Sequence, residues 1–248
     1  MTPTLYDDPD LFDELLPASQ AQVSFYVTLA LRERDEVLAL ACGSGQIIVP
    51  IASKGVPASG LDSSSKMLSA ARRRAVSAGA PVEFVEGDMR EFDLGRQFAL
   101  IFVARNSLLH LSEHEDFDGF FSSVRRHLKP NGVLAFDVFN PSVELLARPR
   151  GQRFSVMRVA SPSRGELTVE AMNDYDRHSQ VNRATWFVST PEKRDAWVFP
   201  LHLRSIFPQE LPALLAVRGF RLVRRDGDFG GGPFTSPSMN QVCQCELA

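Results

Sequence analysis

Cysteine is scarce in this chain. The three present, Cys42, Cys243 and Cys245, form an odd set without metal-ligand spacing, so no disulfide framework or metal site is expected and all three read as buried free thiols. Long apolar runs are missing too. Nowhere do eighteen apolar residues follow one another, and residues 1–26 lack a basic stretch leading into an apolar core. A cytoplasmic protein with no membrane partner is expected. A basic excess is also absent: 27 Lys and Arg stand against 30 Asp and Glu, a formal net charge of -3. The clusters Arg72-Arg73-Arg74 and Arg125-Arg126 fall on amphipathic stretches and read as solvated helix faces, so no nucleic-acid partner is expected.

What the chain does contain is ordinary globular material, 44% hydrophobic and 23% charged over 248 residues, enough for one α/β domain with an elaboration. Its centre is residues 37–45, Val-Leu-Ala-Leu-Ala-Cys-Gly-Ser-Gly. An apolar run that ends in small residues predicts a buried parallel strand, a ligand-binding turn and a helix over 46–54 stopped by Gly55. Gly43 and Gly45 permit unusual dihedrals and close ligand approach there. A dinucleotide fingerprint wants a third glycine where Ile48 stands, and a P-loop wants Lys-Ser/Thr after the turn. Both features are absent, which disfavours a nicotinamide oxidoreductase.

Strands are predicted at 58–61, 82–85, 98–103 and 133–139, and helices from Met67 to Ala75 and over 117–128, the second stopped by Lys129-Pro130-Asn131-Gly132. Two helices are expected within 1–36. Asp62 falls at a strand's carboxyl end, nineteen positions after Gly43, where a carboxylate can accept ribose hydroxyls. Asp62, Ser63, Ser64 and Ser65 are equally candidates for a helix N-cap. His110 follows the fourth strand as a possible base or pocket wall, and His114 lies one helical turn on with no third ligand. From about 140 the pattern alternates, at 154–159, 167–175, 183–189 and 196–206, which predicts an antiparallel insert with exposed edges. A closing helix over 207–218 and a strand pair, 220–224 and 241–246, complete the chain.

Ala41-Cys42-Gly43-Ser44-Gly45, with Asp62, Gly87-Asp88-Met89 and Leu-Lys-Pro-Asn-Gly-Val (128–133) following in order, resembles the class I S-adenosylmethionine-dependent methyltransferases. The opening Tyr6-Asp7-Asp8-Pro9 and the Asn106-Ser107-Leu108 segment before His110-Leu111 resemble the small-molecule and sugar N- or O-methyltransferases of that family. The likeness implies a Rossmann-like α/β fold: a mostly parallel seven-stranded sheet, helices on both faces, and a small antiparallel β insert. It implies a helical lid (1–36), a cofactor-binding domain (37–140 and 207–248) and an insert over the acceptor (141–206), with a possible homodimer through the insert. It assigns Ala41, Gly43, Ser44, Gly45, Asp62, Ser63, Met67, Gly87, Asp88, Met89 and Ala104 to S-adenosyl-L-methionine, and Tyr6, Asn106 and His110 to catalysis on a small-molecule amine or hydroxyl. The acidic residue that opens the family's glycine motif is Ala39 here. A cofactor-binding protein without turnover is the alternative that this departure leaves open.

Overall fold

The computed structural model describes residues 4–33 and 35–248. After helices α1 (Pro9–Leu15) and α2 (Gln20–Glu33), strand β1 (Val37–Leu40) is buried at every position. Four apolar residues without alternation suit a strand covered on both faces. Then follow α3 (Ile48–Ala52), β2 (Ala58–Asp62), α4 (Ser65–Ser77), β3 (Val82–Glu86), β4 (Phe98–Val103), α5 (His114–His127), β5 (Leu128–Phe139) and the short α6 (Val143–Leu146). The second sheet holds β6 (Phe154–Ser161), β7 (Gly165–Met172), β8 (Tyr175–Asp176), β9 (Val181–Ser189) and β10 (Trp197–Arg204). Helix α7 (Leu211–Ala216) leads to the hairpin β11 (Phe220–Asp226) and β12 (Asn240–Leu247).

The main sheet runs β11-β12-β5-β4-β1-β2-β3, parallel except where β12 pairs with β5 and β11. Helices α2, α3 and α4 meet one face, with Ala39, Phe102 and Ala135 buried beneath them; α5 and α7 meet the other, over Leu40, Val103 and Phe136. The strand sequence reverses direction across the sheet between β1 and β4, the point at which open α/β sheets leave a crevice beyond their carboxyl ends. The insert is antiparallel, in the order β10-β9-β7-β6, with β8 on β9. Leu11 and Leu15 of α1 bury against its Leu167, Val169 and Val188. Helix α1 therefore belongs to the insert's core, and α2 to that of the main sheet.

Several boundaries differ from the sequence reading, three of them with a clear local cause. Helix α3 begins at Ile48, not 46, because Gln46 still belongs to the turn and reaches back to accept from the Ala18 amide at 2.5 Å. The Lys129–Gly132 stretch lies inside β5: Leu128 pairs with Phe98 and Val133 with Leu100, so four residues bulge out opposite Ala99. Helix α7 begins at Leu211, because Phe207 to Glu210 closes a turn in which the Glu210 side chain accepts from the Phe207 amide at 3.3 Å.

Candidate active site

A cavity of about 670 Å³ opens over the carboxyl ends of β1, β2 and β4, roofed by α1 and the insert. The turn after β1 forms its floor. Ala41, Gly43 and Gly45 all take left-handed backbone, at φ 49, 55 and 80°. The two glycines serve different ends. At Gly43 a Cβ would meet nothing within 4 Å, so this residue faces the open cavity. At Gly45 it would meet Val49 Cγ2 at 3.1 Å and Ala71 Cβ at 3.2 Å. Gly45 therefore lets α3 pack on α4, and it is not among the residues that line the cavity.

Ser44 lines the cavity, but its hydroxyl is committed elsewhere. It donates to Asp13 Oδ1 at 2.5 Å and accepts from Arg74 Nη1 at 3.0 Å, while Asp13 also accepts from Gln46 Nε2 and Arg74 Nη2, each at 2.6 Å. Arg74 also donates to the Ser44 carbonyl. Asp13 thus latches α1 onto the glycine turn, and Arg74 is part of that latch rather than of a solvated face. Cys42, expected buried, is half-buried at the cavity wall; Cys243 and Cys245 are buried and free.

Asp62 is buried at the end of β2. Its carboxylate accepts from the Gly43 amide at 2.7 Å and the Ser64 amide at 2.8 Å. Burial pushes its pKa up, and these two amides pull it back. Ser64, not Ser63, caps α4, accepting from the Met67 amide at 3.3 Å. Ser63, Met67, Gly87, Asp88 and Met89 line the same end of the cavity. Asp88 is held by Arg90, whose Nη2 lies 2.6 Å from Oδ2, and that bond keeps its carboxyl below the usual range.

At the other end Tyr6 and His110 meet. The Tyr6 hydroxyl lies 2.7 Å from His110 Nε2, joining the 3-10 turn Leu5–Asp7 to the 3-10 turn Ser107–His110 after β4. Burial raises the tyrosine's pKa and lowers the histidine's, with His202 adding to the second effect. Near neutral pH, Tyr6 is therefore protonated and donates, while His110 is neutral and accepts. His110 is accessible and lines the cavity. Leu111, Phe139, Trp186, Leu201 and Leu203 give this end apolar walls.

Ala104, Arg105 and Asn106 join the two ends. Arg105 and Asn106 are both left-handed, at φ 62 and 63°, a costly state for a non-glycine residue unless its surroundings hold it. Asp137 of β5, 2% exposed, provides the hold. Its carboxylate accepts from the Arg105 amide at 3.0 Å, Tyr26 Oη at 2.7 Å and Gln22 Nε2 at 3.2 Å, and its carbonyl accepts from the Asn106 amide at 3.2 Å. No group of three or more His, Cys, Asp or Glu among the described residues is placed to hold a metal ion.

Residues 37–132 match the family described as "Methyltransferase domain". The chain is 38% identical over 223 residues to the Bacillus subtilis (strain 168) protein named "Putative methyltransferase YqeM", spanning 88% of this chain and 87% of that one. The chain belongs to the class I S-adenosylmethionine-dependent methyltransferases. Its fold superposes on the CcbJ methyltransferase of Streptomyces caelestis with a TM-score of 0.85, at 25% identity and covering 99% and 98% of the two chains. It is also 31% identical over 139 residues, 53% of each chain, to the dTDP-3-amino-3,6-dideoxy-alpha-D-glucopyranose N,N-dimethyltransferase of Streptomyces fradiae. Within this methyltransferase the open face of Gly43, and two buried side-chain atoms without partners, Arg105 Nε and Asn106 Oδ1, fit a polar cofactor laid across the strand ends.

Sequence reasoning missed Asp13, Arg74, Gln22 and Asp137, the first three of which have no local signature. Phe-Asp-Val-Phe (136–139) offered a cue to the fourth: a lone acid in an otherwise apolar run.

Proposed function

We propose that this methyltransferase methylates an amine or hydroxyl of a small-molecule acceptor, with Asp62, Gly43 and the Gly87-Asp88-Met89 segment holding the nucleoside part of the cofactor and Tyr6 and His110 serving the acceptor. S-adenosylmethionine, when bound, supplies an already electrophilic methyl group. What remains for the protein is to align a nucleophile, exclude water and take a proton. The observation that carries this reading is the Tyr6–His110 pair, 2.7 Å apart, inside the same cavity as the glycine turn. A hydroxyl acceptor can give its proton to the Tyr6 oxygen as Tyr6 passes its own to His110 Nε2, leaving an imidazolium. An amine attacks as the free base and sheds its proton afterwards along the same route.

The apolar walls support an acceptor with a flat or aliphatic body. The Streptomyces fradiae relative's named substrate, an amino sugar, supports the amine option. Three free cysteines fit the reducing cytoplasm, and no helix among the described residues is long and apolar enough to cross a membrane. The insert's edge strands β6 and β10 present Val156 and Val198, 37% and 40% exposed, as surfaces through which two copies can pair. Sedimentation at increasing concentration checks that pairing.

The deciding experiment incubates the enzyme and S-adenosylmethionine with panels of amines, amino sugars and phenols and follows methylated product by mass spectrometry. Turnover on members of one panel names the acceptor class. Tight cofactor binding without turnover on any panel favours the non-catalytic alternative.

A further inference from the structure

The departure at Ala39 leaves one requirement of the site unmet. The amino-acid end of S-adenosylmethionine carries both a carboxylate and an ammonium, and burying either without partners is costly. The strand position that supplies an acid in the family holds a methyl group here.

The same face of the sheet carries a different pair of groups. Ala39, Phe102 and Ala135 stand in register across β1, β4 and β5, and one pleat further toward the carboxyl ends are Ala104 and Asp137. From there the chain turns through two consecutive left-handed residues, Arg105 and Asn106, so that both line the cavity beside Ala39 and Gln22. The Arg105 guanidinium lies 5.3 Å over the Phe12 ring, donates to Gln46 Oε1 at 3.4 Å and to the Leu16 carbonyl, and leaves Nε buried without a partner. Among the described residues it makes no ion pair. The nearby acids are committed elsewhere: Asp13 to Arg74, Ser44 and Gln46, and Asp137 to the Arg105 backbone, Tyr26 and Gln22. Asn106 Oδ1 is likewise buried and unpartnered. Adjacent residues thus present a half-buried cation with a buried spare donor and a buried spare acceptor, the complement of an α-amino acid.

We propose that Arg105 and Asn106 clamp the amino-acid end of the cofactor, the guanidinium taking the carboxylate and Asn106 Oδ1 the ammonium, in compensation for the acid absent at position 39. This rests on the reading of the cavity as the S-adenosylmethionine site. Asp137 is the positioning residue of the clamp. By accepting from the Arg105 amide with its carboxylate and the Asn106 amide with its carbonyl, it holds the left-handed pair.

Calorimetry with two ligands tests the clamp without turnover: S-adenosylhomocysteine, which has the amino-acid end, and 5′-methylthioadenosine, which lacks it. Arg105→Gln should weaken S-adenosylhomocysteine about ten-fold or more and leave 5′-methylthioadenosine unchanged. Arg105→Lys keeps the charge but loses the planar fork, and should fall between parent and Arg105→Gln. Asn106→Gly tolerates the left-handed backbone and should also weaken only S-adenosylhomocysteine. If Arg105→Gln does not fold, Arg105→Lys decides by the same selective loss. Equal losses for both ligands, or unchanged S-adenosylhomocysteine affinity in a folded variant, would overturn the clamp. A parent enzyme that binds neither ligand would overturn the cofactor reading itself, which is seen before any substitution is made.

Discussion

At the scale of single residues, His110 and Tyr6 divide the proton chemistry. Burial depresses His110 below its ordinary value of 6.5. Its neutral, accepting form is thus fully present at neutral pH and is lost only as pH falls through that lowered value. With a hydroxyl acceptor the parent's rate should rise with pH along a limb centred below 6.5 and stay flat above it. His110→Ala should remove that limb and slow turnover roughly 10²–10⁴-fold, while calorimetry with S-adenosylhomocysteine shows little change. A variant with parental kinetics would return His110 to the cavity wall. Tyr6→Phe breaks the 2.7 Å contact and should slow hydroxyl acceptors more than amines, since amines lose their proton after the methyl has moved. Asp62→Ala should weaken cofactor by about 1–3 kcal/mol, the usual loss for a charge-assisted bond. It also frees the amides of Gly43 and Ser64, so its melting temperature should be compared with the parent's.

At the scale of the element, the turn after β1 separates two glycines that look alike in sequence. Gly45→Ala adds a Cβ at 3.1–3.2 Å from Val49 and Ala71 in left-handed backbone, and the two penalties together should cost about 2–5 kcal/mol of stability. Gly43→Ala meets open space and should cost the fold only about 1–2 kcal/mol, through its dihedrals, but should lose cofactor affinity because its methyl projects into the cavity. Thermal melts and calorimetry on the two variants should therefore show opposite rank orders. The same turn is tied to α1 by Asp13, whose bonds reach Ser44, Gln46 and Arg74. Asp13→Ala should speed hydrogen exchange in residues 9–15 and weaken cofactor roughly three- to thirty-fold.

On the scale of the molecule, α1 bridges two sheets that share no strand pairing. Besides its apolar face, Glu14 accepts from Ser161 at 2.8 Å, Ser163 at 3.0 Å and Arg164 at 2.9 Å, and Arg164 also reaches Asp8 at 3.2 Å. The charged side chains are partly exposed, so each ion pair contributes at most about 1 kcal/mol. Arg164→Met should leave the melting temperature nearly parental while hydrogen exchange over 9–15 quickens and the acceptor KM rises. Unchanged exchange would show that Leu11 and Leu15 alone hold α1 in place.

The sequence by itself determined the order of elements and the floor of the site. Apolar runs and glycine punctuation report local backbone preference, so β1 and its turn, Asp62 at the end of β2, the Gly87-Asp88 segment and the antiparallel insert were all legible there. Tyr6 and His110 were legible as candidates, but not as partners 104 residues apart. Only the tertiary structure decided the rest: that Gly45 serves packing, that Ser44 is spent on Asp13, that Arg74 faces inward, and that Asp137 holds Arg105 and Asn106 in left-handed backbone. Each of these depends on which helix docks over which strand end. Such docking is set by shape and burial summed over distant segments, and periodicity within one segment carries no information about it.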